Sequence, residues 1–278
     1  MEENQSKYYI IAKFAEGYSI KDLLEAIKLI SQTVTIRFTP THIYISEVSA
    51  EKNFLVSAII DVNFLLEYVF SPQGDSSPNG PFDVTIICDE FVRKTNQIKK
   101  GLGFTLSISE KDVINIDIPI YNFSNKVKYV TEAVNMLREP EINANSYRCT
   151  CNNFQAMISD SAKQSSDLLV RSLRTQTDRE SQGIGFYTID GDKQTQAMEI
   201  ARGYKDVKLS YDSSDTRFRV IISEKKIIKF LGHLSKFTDK TSVIILSGTK
   251  DKTNGDIFKI YTQFGNYGHV SIYIKNAK

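Results

Sequence analysis

Eleven basic side chains lie in four stretches of this 278-residue chain that read as helices. They are Lys21 and Lys28 in 19–32, Arg93, Lys94, Lys99 and Lys100 in 89–100, Lys163 in 152–163, and Lys225, Lys226, Lys229 and Lys236 in 223–236. Six acids accompany them: Asp22, Glu25, Asp89, Glu90, Asp160 and Glu224. The four stretches therefore carry a net +5 in a chain whose total is +2, which leaves −3 for the remainder. Lysines spread over several helices can attract the phosphates of a nucleic acid without reading its sequence, and salt weakens that attraction. Each lysine alone serves equally well to solvate a helix face. The excess lies in two of the four stretches, 89–100 and 223–236, and it is what points to nucleic acid.

Groups suited to covalent or metal chemistry are sparse. The three histidines, His42, His233 and His269, are far apart in sequence. There is no His-Glu-x-x-His, no Cys-x-x-Cys and no glycine-rich loop leading into Lys-Ser/Thr. Cys149-Thr150-Cys151 puts two thiols on one face of an expected strand. With no further Cys or His nearby, they read as small core residues rather than ligands. Gly101-Leu102-Gly103 and Gly183-Ile184-Gly185 read as turns into strands. No catalytic constellation is present, so the expectation is a binding scaffold and not an enzyme, with no cofactor and no metal. Three cysteines suit a reducing compartment. The polar start Met1-Glu2-Glu3-Asn4-Gln5 is no signal peptide, and no apolar run nears the roughly 20 residues that span a bilayer. The expected location is intracellular, with no membrane partner.

The elements that carry these residues recur. A strand, an amphipathic helix and further strands follow one another in residues 7–60, 82–118, 146–201 and 216–274. Apolar stripes at helical spacing comprise Ile20, Leu23, Leu24, Ile27 and Ile30, then Phe91, Val92, Thr95 and Ile98. The third and fourth are Phe154, Met157, Ile158 and Ala162, and Ile227, Ile228, Leu231 and Leu234. Asp89 and Ser223 stand where N-caps are expected. Residues 34–38, 42–45, 113–118 and 270–274 alternate as half-buried strands do. Such strands bury one face under the helices, giving an α+β class with antiparallel sheets and four helices on one face. Ser71 to Pro81 and Arg174 to Gly183 read as surface loops. Val127, Val130, Val134 and Leu137 recur at helical spacing, which predicts a short helix within a connector. The expected organisation is an N-terminal domain over 1–120, a connector over 121–146 and a C-terminal domain over 147–278.

Gly17-Tyr18-Ser19-Ile20-Lys21-Asp22-Leu23-Leu24-Glu25-Ala26-Ile27-Lys28 resembles the first helix of the sliding clamp family, that of proliferating cell nuclear antigen. Gly268-His269-Val270-Ser271-Ile272-Tyr273-Ile274 is similar to that family's closing strand. Thr41 to Val48 fits the strand and loop after the first helix, and Tyr147-Arg148-Cys149 fits the opening of the second domain. The matches run in order and cover essentially the whole chain. The resemblance implies the DNA clamp fold: two similar domains, each with a duplicated β-α-β-β-β unit.

It also implies a homotrimeric ring that encircles double-stranded DNA, placed there by a clamp loader. Such a ring tethers a DNA polymerase and other clamp-binding proteins in replication and repair, and performs no reaction itself. Lys21 and Lys28 match the family's hole-facing lysines, and the other nine cations follow by helix position. The family's groove for a partner peptide with one aliphatic and two aromatic anchors maps to Val48, Leu137, Pro140, Ile257 (where the family usually has proline) and Tyr273. Subunit joining by edge strands maps to Val113, Ile114, Ile116 and Ile118 on one side and to Met198 and Ile200 on the other. A long connector, an overall basic balance and the ending Lys275-Asn276-Ala277-Lys278 depart from the family's pattern. They suggest a divergent, viral member working in a nucleus or a viral replication compartment. The alternative on the same fold is a monomeric processivity factor, a checkpoint subunit or a viral late-transcription factor.

Overall fold

The structure is a computed structural model that describes residues 10–71, 80–110, 112–119, 123–130, 139–140, 146–163, 167–173, 183–190, 193–201, 218–251 and 255–276. The expected repeat is present four times. The first copy runs β1 (Ile10–Phe14), α1 (Tyr18–Ile27), β2 (Thr33–Phe38), β3 (His42–Val48), β4 (Phe54–Asp61), with β5 (Glu67–Phe70) appended. The second runs β6 (Phe82–Ile87), α2 (Cys88–Thr95), β7 (Phe104–Glu110), β8 (Val113–Ile118), β9 (Phe123–Val130). The third runs β10 (Ser146–Thr150), α3 (Cys151–Lys163), β11 (Asp167–Leu173), β12 (Gly183–Asp190), β13 (Lys193–Ala201). The fourth runs β14 (Arg219–Ile222), α4 (Lys225–Gly232), α5 (Leu234–Phe237), β15 (Val243–Asp251), β16 (Gly255–Phe264), β17 (Gly268–Lys275).

The chain divides into two compact units. One comprises Met1–Glu47, Ala58–Leu137 and Phe264–Gly268; the other comprises Val48–Ser57, Arg138–Gln263 and His269–Lys278. In the first unit the strand order is β3-β2-β6-β9-β8-β7-β1-β5, with antiparallel pairing from β3 to β5. Alternation decides which side chains go inside: Ile114, Ile116 and Ile118 of β8 are buried, while Val113, Asn115 and Asp117 are half-exposed. The buried stripe of α1, with Ile20, Leu23, Leu24 and Ile27, matches the sequence expectation. Burying a side chain of this size contributes about 1.5–3 kcal/mol. Asn125 of β9 donates to the Lys94 carbonyl at 2.7 Å, so the last turn of α2 is satisfied by a strand rather than by a local cap.

The second unit places β10-β15-β16-β17 beside β4, and a separate sheet runs β13-β12-β11-β14. Its core is aromatic. Phe154, Phe186 and Phe258 meet edge to face at 5.9–6.0 Å, and Phe54 packs on Phe230 at 4.9 Å. Gln155 of α3 donates to the Gly232 carbonyl and accepts from the Ser235 amide, holding the break between α4 and α5. Outward amides of β14 are met by side chains: Arg219 N–H donates to Asp256 and Ile221 N–H to Asn276, each at 2.7 Å.

Four local expectations change. Residues 123–130 form strand β9, not a helix: Val127 is buried opposite Ile114 of β8 and Val130 is exposed opposite Thr85 of β6, so period two wins over the accidental helical spacing. The remainder of that predicted helix, Val134 and Leu137, lies outside the described residues. Helix α2 ends at Thr95, so Lys99 and Lys100 sit in the turn that follows it. Neither expected cap forms. The N-cap positions are Ile87 and Glu224, without side-chain caps; Asp89 turns to Lys28 and Ser223 donates to Asp167. Cys151 opens α3 instead of ending a strand, so the two thiols do not share a strand face.

Two glycines of the recognised motifs are packing glycines. A Cβ on Gly17 would lie 2.3 Å from the Phe104 ring, and one on Gly268 would lie 1.9 Å from the Ile59 carbonyl oxygen. A ring can yield; a carbonyl within a β-ladder cannot. Gly268→Ala should therefore cost about 2–3 kcal/mol in thermal or urea unfolding. Gly232→Ala, with no neighbour nearer than 4.0 Å, should be within about 0.5 kcal/mol of the parent or more stable.

Candidate nucleic-acid and partner interfaces

The eleven cations divide by what already holds them. In the first unit, Lys21 donates to the Ile98 carbonyl at 3.4 Å and approaches Asp22 at 3.9 Å. Lys28 ion-pairs with Asp89, whose carboxyl it holds below the usual aspartate range. Lys94 is half-buried, whereas Arg93, Lys99 and Lys100 are exposed, Lys100 lying 5.7 Å from the Tyr18 ring centre. In the second unit Lys225, Lys229 and Lys236 are exposed. Lys226 is not a free cation: it bonds to Glu51 at 3.1 and 3.2 Å and pairs with Glu224 at 3.1 Å. Asn53 donates to the same Glu224, and Ser49 donates to Asn53 at 2.7 Å. Lys226 thus ties the start of α4 to the turn at 49–53, and the two carboxylates raise its pKa. Lys163 ends α3, and its side chain lies outside the described set.

A second constellation lies within the second unit. Leu55, Ile257 and Tyr273 are buried together, with Val48 packed against them. Three of the five residues expected for a partner groove are therefore adjacent. Pro140 is half-buried, and Leu137 is outside the described residues. The structure adds residues that sequence reading missed. Tyr273 donates its hydroxyl to Glu139 at 2.5 Å, and the Lys259 amine stands 4.9 Å from the Tyr273 ring centre and 5.8 Å from that of Tyr261. The signal was available: Ile257, Lys259 and Tyr261 alternate along β16 and so share a face.

No family model matches the sequence, and no curated protein is similar to it at the sequence level. Solved structures are similar to it over nearly its whole length. The proliferating cell nuclear antigen (PCNA) of Thermococcus kodakaraensis matches with a TM-score of 0.73 at 10% identity, covering 96% of this chain and 99% of its own. That of Entamoeba histolytica matches at 0.74 and 12% identity, covering 96% and 98%. A. fulgidus PCNA, solved with the C-terminal region of FEN-1 bound, matches at 0.71 and 14% identity, covering 96% and 97%. The chain has the sliding-clamp fold.

In this clamp fold the edge strands are not all where they were expected. Val113, Ile114, Ile116 and Ile118 belong to β8, which is paired with β7 on one side and β9 on the other, so β8 offers no edge. An edge next to it is left on β9: it meets β6 at Tyr129 and Val130, and its first six residues pair with β8 alone among the described residues. Met198 and Ile200 lie on β13, which pairs with β12 alone among the described residues.

The chain's three thiols are chemically quiet. Burial pushes Cys88 and Cys149 up to about 12, and burial also raises Cys151, whose sulfur lies 3.2 Å from the Thr238 hydroxyl. No cluster of His, Cys, Asp and Glu suited to a metal occurs among the described residues. Because only thiolates react readily, the folded protein at pH 8 should take up almost no Ellman's reagent, whereas the denatured chain should titrate all three cysteines.

Proposed function

We propose that the chain is a DNA sliding clamp and processivity factor: a homotrimeric ring around duplex DNA that tethers a polymerase and other replication and repair proteins. It is a scaffold that performs no reaction itself. The observation that carries this reading is the fourfold β-α-β-β-β repeat along the described chain, with exposed cations on α2, on the turn that follows it, and on α4 and α5. Two clamp domains, 1–120 and 147–278, joined by a connector over 121–146, are the organisation that goes with it. A clamp loader and an intracellular site of DNA synthesis belong to the same reading.

A clamp must hold DNA and still slide, so its contacts should be exposed lysines meeting phosphates through water rather than side chains that read base edges. Arg93, Lys99, Lys100, Lys225, Lys229 and Lys236 fit that role. Lys226 does not, because its amine is engaged by two carboxylates. Lys21 and Lys28 contribute less than a charge count suggests, since each already has a partner.

For assembly, the edge of β9 and the edge of β13 from the next copy would complete each other. A head-to-tail contact of this kind closes into a ring when the rotation per subunit allows it. The partner groove is the cluster of Val48, Leu55, Ile257 and Tyr273, and PCNA with a bound FEN-1 segment is the precedent for protein segments on this fold.

Two measurements test the reading. Light scattering during size exclusion should give three subunits of 31.5 kDa each, independent of dilution. A monomer throughout would overturn the homotrimer and favour a monomeric or hetero-oligomeric clamp-fold factor. For DNA, the slope of log affinity against log salt should become shallower by up to about 0.9 for each of Lys99, Lys100, Lys225 and Lys229 changed to Ala. Lys226→Met should leave that slope unchanged and lower the melting temperature instead.

A further inference from the structure

Lys259 is out of keeping with its surroundings. It lies on β16 between Ile257 and Tyr261, half-buried, with its amine against the faces of Tyr273 and Tyr261. Ring faces attract an ammonium group but do not neutralise it. Burial lowers the pKa of this amine. Glu139 is the carboxylate whose charge it feels, yet Glu139 accepts from the Tyr273 hydroxyl, and among the described residues Lys259 has no carboxylate within ion-pair distance. Beside it lies the apolar cluster of Leu55, Ile257 and Tyr273 with Val48.

A protein segment that seats apolar side chains on this cluster would strip remaining water from the Lys259 amine. Covering an ammonium with apolar groups is unfavourable unless an anion meets it. A basic residue at that point would add repulsion. A carboxylate there would gain a charge-assisted hydrogen bond. We propose that Lys259 makes this groove selective for protein segments carrying an Asp or Glu beside their apolar anchors. The inference rests on the reading of the cluster as a partner groove, and it names what distinguishes a partner of this chain.

The test uses short synthetic peptides with one aliphatic and two aromatic anchors, Glu being stepped through the intervening and flanking positions, each with a matching Gln peptide. They are titrated against the full chain, Lys259→Met and Ile257→Glu. At one or two positions Glu should bind about tenfold more tightly than Gln. Lys259→Met should abolish that preference while binding the Gln peptides at least as well as the parent does, and Ile257→Glu should weaken every peptide. Equal binding of Glu and Gln peptides at all positions, with Ile257→Glu still disruptive, would overturn the role of Lys259 and leave the groove standing. Failure of every peptide to bind, or indifference to Ile257→Glu, would overturn the groove itself and the selectivity with it.

Discussion

An open antiparallel sheet has edges, and every unpaired edge amide must find an acceptor. Much of this structure follows from how four such edges are treated. In the second unit, β14 has its outward amides met by Asp256 and Asn276, so that edge is closed to other chains. In the first unit, β5 pairs with β1 alone among the described residues and keeps Val69 exposed, with Phe64 and Leu66 exposed just before it. The first six residues of β9 pair with β8 alone, and β13 with β12 alone, among the described residues. A ring built from copies of one chain needs two such complementary edges per copy.

Charge is organised with the same economy. Lys28, just past the end of α1, and Lys226, in the first turn of α4, are matched by Asp89, Glu51 and Glu224. Other cations, such as Lys99, Lys225 and Lys229, are left to solvent. An ammonium group already bonded to a carboxylate gains little from a phosphate, so only the second set would contribute fully to the proposed attraction of DNA. A net charge near zero is therefore compatible with locally basic surface in each unit.

The repeat, the α+β class and the buried stripes were legible in the sequence because they rest on periodicity, which packing seldom overrides when it extends over a whole element. What was not legible depended on pairing. Val127 and Val130 satisfied a helical spacing by coincidence, and only the ladders to β8 and β6 show period two to be the operative one. The edge expected at Val113–Ile118 came from the family resemblance, and only the pairing of β8 with both β7 and β9 moves it one strand on. Lys226 looked like the other lysines of its helix, because its carboxylate partner at Glu51 is 175 residues away in sequence. Val48, Ile257 and Tyr273 came together as expected, but Leu55, Lys259 and Glu139 joined them through strand adjacency, which no short window reveals.

The opening strands of the second and fourth repeats meet one backbone requirement in two ways. β6 completes its edge with main chain, Thr85 opposite Val130 and Ile86 opposite Tyr129. β14 completes its own with the side chains of Asp256 and Asn276. A main-chain ladder is indifferent to nearly every substitution except proline, whereas a side-chain cap disappears with one codon. The two halves of a duplicated fold therefore age unequally: the first can drift in sequence and keep its edge sealed, while in the second a single change at 256 or 276 would bare a strand and create a new surface for assembly.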